Sequence, residues 1–273
     1  MTQEIYQKIS MLFNEYTLQD RSIDEEFYQK FFDIIKDKHK LKKLVIINSE
    51  TMHDRKNRKY TDSLNLLFGM AAFEVKEGNI VIYSDNMEKT FIPVCKSVDL
   101  NDTDKNILYN LMILQVLLHE YEHVIQKEKM EKSNDYESEL LKALKSKKPQ
   151  TTESYKYCLK ERLAQVHSLS TILSLIADNK IMNPTIDEYF RSSIEEELSS
   201  GYEYVDERGF LKEKGEGIFM NPTQRYAMLM KCNVEEVKRL DLMANDLDSR
   251  LLYGLEVSEE DYMSRFGEKG LKY

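Results

Sequence analysis

The sequence LLHEYEHVIQ, residues 117–126, contains two of the chain's five histidines, four residues apart. In a helix, residues with this spacing lie on one face with Cβ atoms about 5–6 Å apart, so His119 and His123 can direct both imidazoles at one metal ion. Glu120 would lie beside such an ion rather than on it, where a carboxylate can act as a general base. The spacing predicts a zinc site with His119 and His123 as ligands.

The residues before this pair, ILYNLMILQVLL, are apolar on nearly every face, which predicts a helix that runs through the interior. Burying imidazoles and carboxylates there is costly unless they are hydrogen-bonded or bound to a metal. Two core histidines satisfied by hydrogen bonds are the alternative interpretation. The glutamate between the histidines favours the metal site, because the combined motif is among the more specific short patterns.

A catalytic zinc takes three protein ligands and keeps one position open, so a third ligand must come from elsewhere in the chain. In YCLKERLAQVHS, residues 157–168, one helical stripe carries Glu161, Ala164, Gln165 and Ser168. The small Ala164 lets this helix approach the histidine helix closely, so Glu161 is the predicted third ligand. Other candidates remain open: Glu137, Glu139, Glu153 and His167. His39 and His53 stand in charged, loop-like surroundings and are not assigned to the site.

The N-terminal part of the chain predicts helices followed by a small sheet. Ser22 with Glu25 forms a capping box that opens the second helix. Residues 43–49, KLVIINS, are short, apolar and β-branched, which predicts a strand. Residues 69–85 contain two strand-like runs joined by Gly78 and Asn79, which predicts a hairpin.

The rest of the chain has mostly helical periodicity. The histidine helix is predicted to begin near Asp102 or Thr103, and further helices to begin at the capping boxes Thr185/Glu188 and Ser258/Asp261. The glycine-rich residues 201–222 form the longest irregular stretch and predict a flexible loop or lid.

This order of elements predicts an α+β fold. The expected architecture is a small, mostly antiparallel sheet packed on the histidine helix, flanked by N-terminal helices and a helical C-terminal region. Residues 1–180 are predicted to form the core with the N-terminal helices, and residues 181–273 a helical region packed on that core.

Composition limits the classes of function. A net charge of −9 argues against binding nucleic acid through its phosphates. The basic run HDRKNRK, residues 53–59, has no interleaved aromatic residue and is interpreted as a solvated loop. Three cysteines without CxxC spacing favour a reducing compartment, and no apolar run is long enough to span a membrane. A soluble, cytoplasmic protein with no nucleic-acid or membrane partner is expected.

The HEYEH motif, preceded by a strand and hairpin and followed by a helix with ERLA, resembles the gluzincin branch of HExxH zinc metallopeptidases. It looks most like the compact, phage- and mobile-element-associated ImmA/IrrE-like group. The resemblance covers roughly residues 43 to 178. It departs from the usual pattern in the glutamate at position 122 and in Ala143, near the position where thermolysin-like enzymes place their glutamate.

The resemblance implies a zincin-like core and hydrolysis of peptide bonds. His119, His123 and Glu161 would bind zinc, and Glu120 would be the general base. An extended peptide or protein substrate would pair with the edge strand of the hairpin in residues 69–85. Candidates to stabilise the oxyanion are Tyr155, Tyr157 and Tyr226. The alternative function is a non-catalytic binding or regulatory module, a degenerate peptidase whose zinc is structural.

Overall fold

A computed structural model describes residues 1–60, 69–74, 77–132, 159–199, 201–221, 224–225, 228, 250–251 and 257–267. Within this described part the protein is mostly helical, with seven helices, a three-stranded sheet and a two-stranded sheet. The predicted α+β class is therefore confirmed. The helices are α1 (Gln3–Leu18), α2 (Glu25–His39), α3 (Ser84–Ser97), α4 (Asp102–Lys132), α5 (Leu159–Asp178), α6 (Pro184–Ser199) and α7 (Glu259–Phe266). The strands are β1 (Lys43–Ile47), β2 (Ala71–Glu74), β3 (Asn79–Tyr83), β4 (Glu203–Val205) and β5 (Ile218–Met220).

The cap of α2 differs from the predicted one. The carboxylate of Asp24 accepts a hydrogen bond from the Phe27 backbone N–H, which makes Asp24 the N-cap. Ser22 instead donates its hydroxyl to the Asn106 side chain at 2.8 Å. The predicted capping box was wrong because an acidic residue nearer to the first helical turn competes for the same backbone donor.

The three-stranded sheet has the order β1-β3-β2 and is mixed. β3 pairs with β1 in parallel and with β2 in antiparallel orientation, and all five of its residues are buried. The predicted strand and hairpin are confirmed, with Gly78 at φ 70° in the turn between β2 and β3. The sheet is not the mostly antiparallel one expected, because the chain crosses from β1 to the far edge before it forms the hairpin.

Helix α3 was not predicted. It begins directly after β3 and contains Pro93, a residue that removes a backbone donor from a helix interior. Its buried residues are Met87, Phe91 and Cys95, which recur every four positions. That apolar stripe is the sequence signal that identifies the helix. Both α2 and α3 pack against β1.

The chain forms two compact units. The first comprises residues 1–128 and 168–190 and contains the three-stranded sheet; the second comprises residues 129–167 and 191–273. Each unit is made of two separate stretches of chain. The predicted division into residues 1–180 and 181–273 stays a prediction. No described helix combines the length and the apolar composition needed to cross a membrane.

The second unit contains a β-hairpin where a flexible loop or lid was predicted. β4 and β5 pair antiparallel, with Tyr204 opposite Phe219. A Cβ atom on Gly217, which has φ 90°, would lie 2.5 Å from the Val205 carbonyl oxygen, so the hairpin requires glycine there. The Tyr262 ring packs 4.9 Å from that of Tyr202, and buried apolar residues surround both. The C-terminal region is therefore not purely helical.

Two helix starts follow short-range signals close to those predicted. The side chain of Asn183 accepts the backbone N–H of Thr185, so Asn183 rather than Thr185 caps α6. The hydroxyl of Ser258 accepts the backbone N–H of Asp261, which confirms the predicted start of α7.

Candidate metal centre

Helix α4 carries the histidine motif and is buried along most of its length. Its residues Leu111, Ile113 and Leu114 are fully buried, and Leu117 is 1% exposed. The side chain of Asn101 accepts the backbone N–H of Asp104 and caps the helix one residue before the predicted start. The sequence prediction of an interior helix is confirmed, so the motif side chains lie in a poorly solvated environment.

The two motif histidines face each other. Their Nε2 atoms lie 3.1 Å apart, and their rings are nearly perpendicular with centroids 4.7 Å apart. Two ligands bound at about 2.0–2.1 Å to a tetrahedral ion are separated by about 3.3 Å. The Nε2 atoms of His119 and His123 therefore already stand at nearly the spacing that a shared zinc ion requires.

Glu161 completes a group of three. One ligand atom each from His119, His123 and Glu161 lies within 4.8 Å of the other two, so this group can hold a metal ion. His123 is buried, while His119 and Glu161 are half-buried. Among the described residues, the metal-capable groups do not include His167. The competing candidates Glu137, Glu139 and Glu153 lie outside the described residues.

Two residues of the predicted stripe on α5 are buried. Ala164 is fully buried, and Ser168 is 2% exposed. Ser168, one turn further along the same stripe, accepts a hydrogen bond at 3.1 Å from the side chain of Gln115 on α4. Because Gln115 lies one turn before His119, this bond places Ser168 beside the histidine helix.

Gln126 contacts one of the histidines and was not assigned to the site from sequence. Its side-chain Oε1 lies 3.0 Å from His123 Nδ1, and both side chains belong to buried residues. An amide oxygen can only accept a hydrogen bond, so this contact favours the tautomer of His123 with hydrogen on Nδ1 and a lone pair on Nε2, the atom that faces His119. The spacing from His123 to Gln126, i to i+3 on one helix, is the signal that identifies the contact.

Glu120 lies next to the metal-capable group in sequence but is not one of its members. The residue is 8% exposed, in a helix whose apolar neighbours exclude most water. In the HExxH pattern a carboxylate at this position lies beside a metal ion held by the two histidines rather than on it. Glu122 is equally buried and lies elsewhere on the helix circumference.

His39, the last residue of α2, contacts α4 on the side away from His119 and His123. The side chain of His39 is only 5% exposed. Tyr121 Oη lies 2.8 Å from His39 Nε2, and a carboxylate oxygen of Glu128 lies 2.9 Å from Nδ1. Burial and the nearby charges of Glu122 and Glu128 raise the pKa of the Tyr121 hydroxyl well above its usual range. In the tautomer of His39 with hydrogen on Nδ1, the nitrogen that faces the Glu128 carboxylate, Nε2 accepts a hydrogen bond from the Tyr121 hydroxyl.

His39 was assigned to a loop-like environment from sequence, and that assignment is wrong. Its side chain is shielded from water, and its partners come from a helix more than eighty positions later in the chain. Tyr121 and Glu128 are seven residues apart, or about two helical turns, so His39 holds one face of α4 at two points. This face is turned away from the one that carries His119 and His123.

Strand β2 lies beside the metal helix. The ammonium group of Lys127 lies 5.7 Å from the centre of the Phe73 ring on β2. Lys127 is one helical turn beyond His123. β2 is an edge strand of the described three-stranded sheet, since it pairs there with β3 alone. An edge strand thus runs close to the helix that carries the two histidines.

Comparison of the chain with known proteins finds no matching family model, no matching curated protein and no matching solved structure. The case for a function therefore rests on the geometry of the side chains.

Proposed function

We propose that the protein is a zinc-dependent metallopeptidase of the gluzincin type, built on a zincin-like core. The observation that carries the proposal is the group formed by His119, His123 and Glu161, whose ligand atoms lie within 4.8 Å of one another, with Glu120 beside it in a buried helix. Two imidazoles and a carboxylate are a ligand set typical of catalytic zinc.

The donor set fits zinc in number and in chemistry. His123 has its Nδ1 occupied by Gln126, which leaves Nε2 available as a ligand atom. Glu161 adds a negative charge that partly offsets that of a divalent cation. When bound, zinc polarises a substrate carbonyl and lowers the pKa of a water molecule to about 7.

Glu120 is the proposed general base. Its carboxylate would take a proton from the attacking water and later deliver it to the amine that leaves when the peptide bond breaks. A base in this role contributes typically about 10²–10⁴-fold to the rate. The candidates to stabilise the oxyanion, Tyr155, Tyr157 and Tyr226, lie outside the described residues.

The substrate is proposed to be a peptide or protein segment in extended conformation. An edge strand offers unpaired backbone groups that can bind such a segment by adding it to the sheet. The contact of Lys127 with Phe73 supports β2 as that edge, because it brings the strand next to the metal helix. A cytoplasmic location is also part of the proposal, and the buried free thiol of Cys95 is compatible with it.

The number of ligands favours an enzyme over a module with structural zinc. Structural zinc is closed by four protein ligands, whereas catalytic zinc keeps one position open. The metal-capable group among the described residues has three members. The competing function is a non-catalytic module, which would bind zinc but cleave no peptide.

The decisive experiment replaces Glu120 by Gln, which keeps the size of the side chain but removes the base. Zinc content and thermal stability should stay close to those of the wild type. Cleavage of a peptide identified by screening a library with the wild-type protein and zinc should fall about 10²–10⁴-fold.

The matched control is Glu122→Gln, the same change at an equally buried glutamate two residues along α4. This variant should keep its turnover, since the proposed general base is Glu120, the residue that directly follows the first motif histidine. If Glu120→Gln cleaves as fast as the wild type, Glu120 is not the base. If zinc-loaded wild type cleaves nothing in the library, the binding module is the better description.

A further inference from the structure

Gln126 is a polar residue of the described part of the chain that contacts His123 and has no role in the proposed reaction. It lies on α4 three residues after His123, so both side chains project from the same side of the helix. Gln126 is 9% exposed and His123 is 6% exposed, which shields their contact from water. The distance of 3.0 Å between Oε1 and Nδ1 is that of an ordinary N–H···O hydrogen bond.

A neutral imidazole has one donor nitrogen and one acceptor nitrogen, and the partner of either nitrogen decides which is which. The amide oxygen of Gln126 stabilises the form of His123 with hydrogen on Nδ1. The lone pair then resides on Nε2, the atom that lies 3.1 Å from His119 Nε2. In the opposite tautomer the proton would occupy the coordination position, and metal binding through Nε2 would first require that proton to move to Nδ1.

We infer that Gln126 is a positioning residue that selects the metal-binding tautomer of His123 and fixes the orientation of its ring. This role depends on the proposed zinc site. It adds a positioning residue to the three ligands and the general base. A residue that is hydrogen-bonded to the second ring nitrogen of a metal-binding histidine typically contributes about 10–100-fold to metal affinity. Because Gln126 and His123 lie on the same helix, their contact needs no residue from another helix or strand.

The test measures zinc affinity by competition with a chelator in three variants of the full chain. Gln126→Leu removes the acceptor at similar volume and should weaken zinc binding about 10–100-fold. Gln126→Glu restores an acceptor of the same length and should return the affinity to the wild-type value or above it. The control Gln115→Leu makes the same change on the same helix, at a residue bonded to Ser168 rather than to a histidine, and should bind zinc as the wild type does.

A second readout does not depend on metal. Long-range proton–nitrogen NMR of the metal-free wild type, at a pH where the rings are neutral, should show His123 protonated on Nδ1, and Gln126→Leu should lose that preference. Failure of the wild type to bind zinc would reject the proposed function, while the tautomer measurement would still decide the role of Gln126. That role is rejected if metal-free His123 is protonated on Nε2, or if Gln126→Leu and Gln115→Leu weaken zinc binding equally.

Discussion

His39 contacts α4 and His123 belongs to it, and their ring nitrogens have opposite kinds of neighbours. His39 has a hydroxyl donor at Nε2 and a carboxylate acceptor at Nδ1, so the neutral ring is satisfied by protein groups alone. His123 also has an acceptor at Nδ1, but its Nε2 faces the Nε2 of His119. Two nitrogens that face each other at 3.1 Å need a shared proton or a shared cation between them.

The comparison separates a histidine that supports the fold from a pair suited to a ligand. Both rings are shielded from water, since the side chain of His39 is only 5% exposed and His123 is a buried residue. The distinguishing property is the kind of group that faces each nitrogen. His39 faces a hydroxyl and a carboxylate, whereas Nε2 of His123 faces the Nε2 of a second histidine, an arrangement suited to two ligands of one metal ion.

The largest expected effect is on the zinc bound by His119 and His123. Replacing His119 and His123 together by Ala should reduce bound zinc from about one ion per chain to none, because one ligand remains of three. Elemental analysis of the purified variant measures the result. His53→Ala, at an exposed histidine, serves as the control and should keep its zinc. Stoichiometric zinc in the double variant would mean that the ion binds elsewhere.

Loss of the carboxylate ligand should have the next largest effect. Glu161→Gln replaces an anionic ligand by a neutral amide, so zinc affinity should fall by more than the roughly 10–100-fold typical of a residue hydrogen-bonded to a metal-binding histidine. Chelator competition measures the change, and Glu195→Gln, an exposed glutamate on α6, provides the control. An affinity that stays within about twofold of the wild type would remove Glu161 from the ligand set.

On the structural side, His39→Leu should lower the free energy of unfolding by about 1–3 kcal/mol. The change leaves the buried hydroxyl of Tyr121 without its acceptor, whereas Glu128 is exposed enough to be solvated. Urea denaturation measures the loss. The variant should still bind one zinc per chain, and a variant that loses zinc while keeping its stability would contradict the division between the two faces.

The smallest effect is expected for Tyr121→Phe, at about 1 kcal/mol, since the removed hydrogen bond leaves one buried acceptor nitrogen on His39. Combined with His39→Leu, it should cost less than the sum of the single changes, because both remove the same bond. A double-mutant cycle measures this coupling. Strict additivity would show that the two side chains stabilise the protein independently.

The sequence by itself determined the local features of the site. An apolar run with histidines four apart predicts a buried helix with both imidazoles on one face, because the helical period alone sets that geometry. Glu161 followed from the same rule applied to its stripe, with Ala164 as the sign of a close approach. The strand in residues 43–49 and the hairpin turn at Gly78 were likewise predicted, since β-branched composition and a positive φ are local properties.

Only the tertiary structure decided the features that join distant residues. The parallel pairing of β1 with β3 depends on the path of the chain between strands, which no local pattern encodes. His39 looked like a loop residue because its partners, Tyr121 and Glu128, are far away in sequence. The strands β4 and β5 are three residues each, too short for alternation to stand out, and they form because their backbone groups pair with each other. Local periodicity therefore oriented the metal-binding side chains, and long-range hydrogen bonds determined what holds them in place.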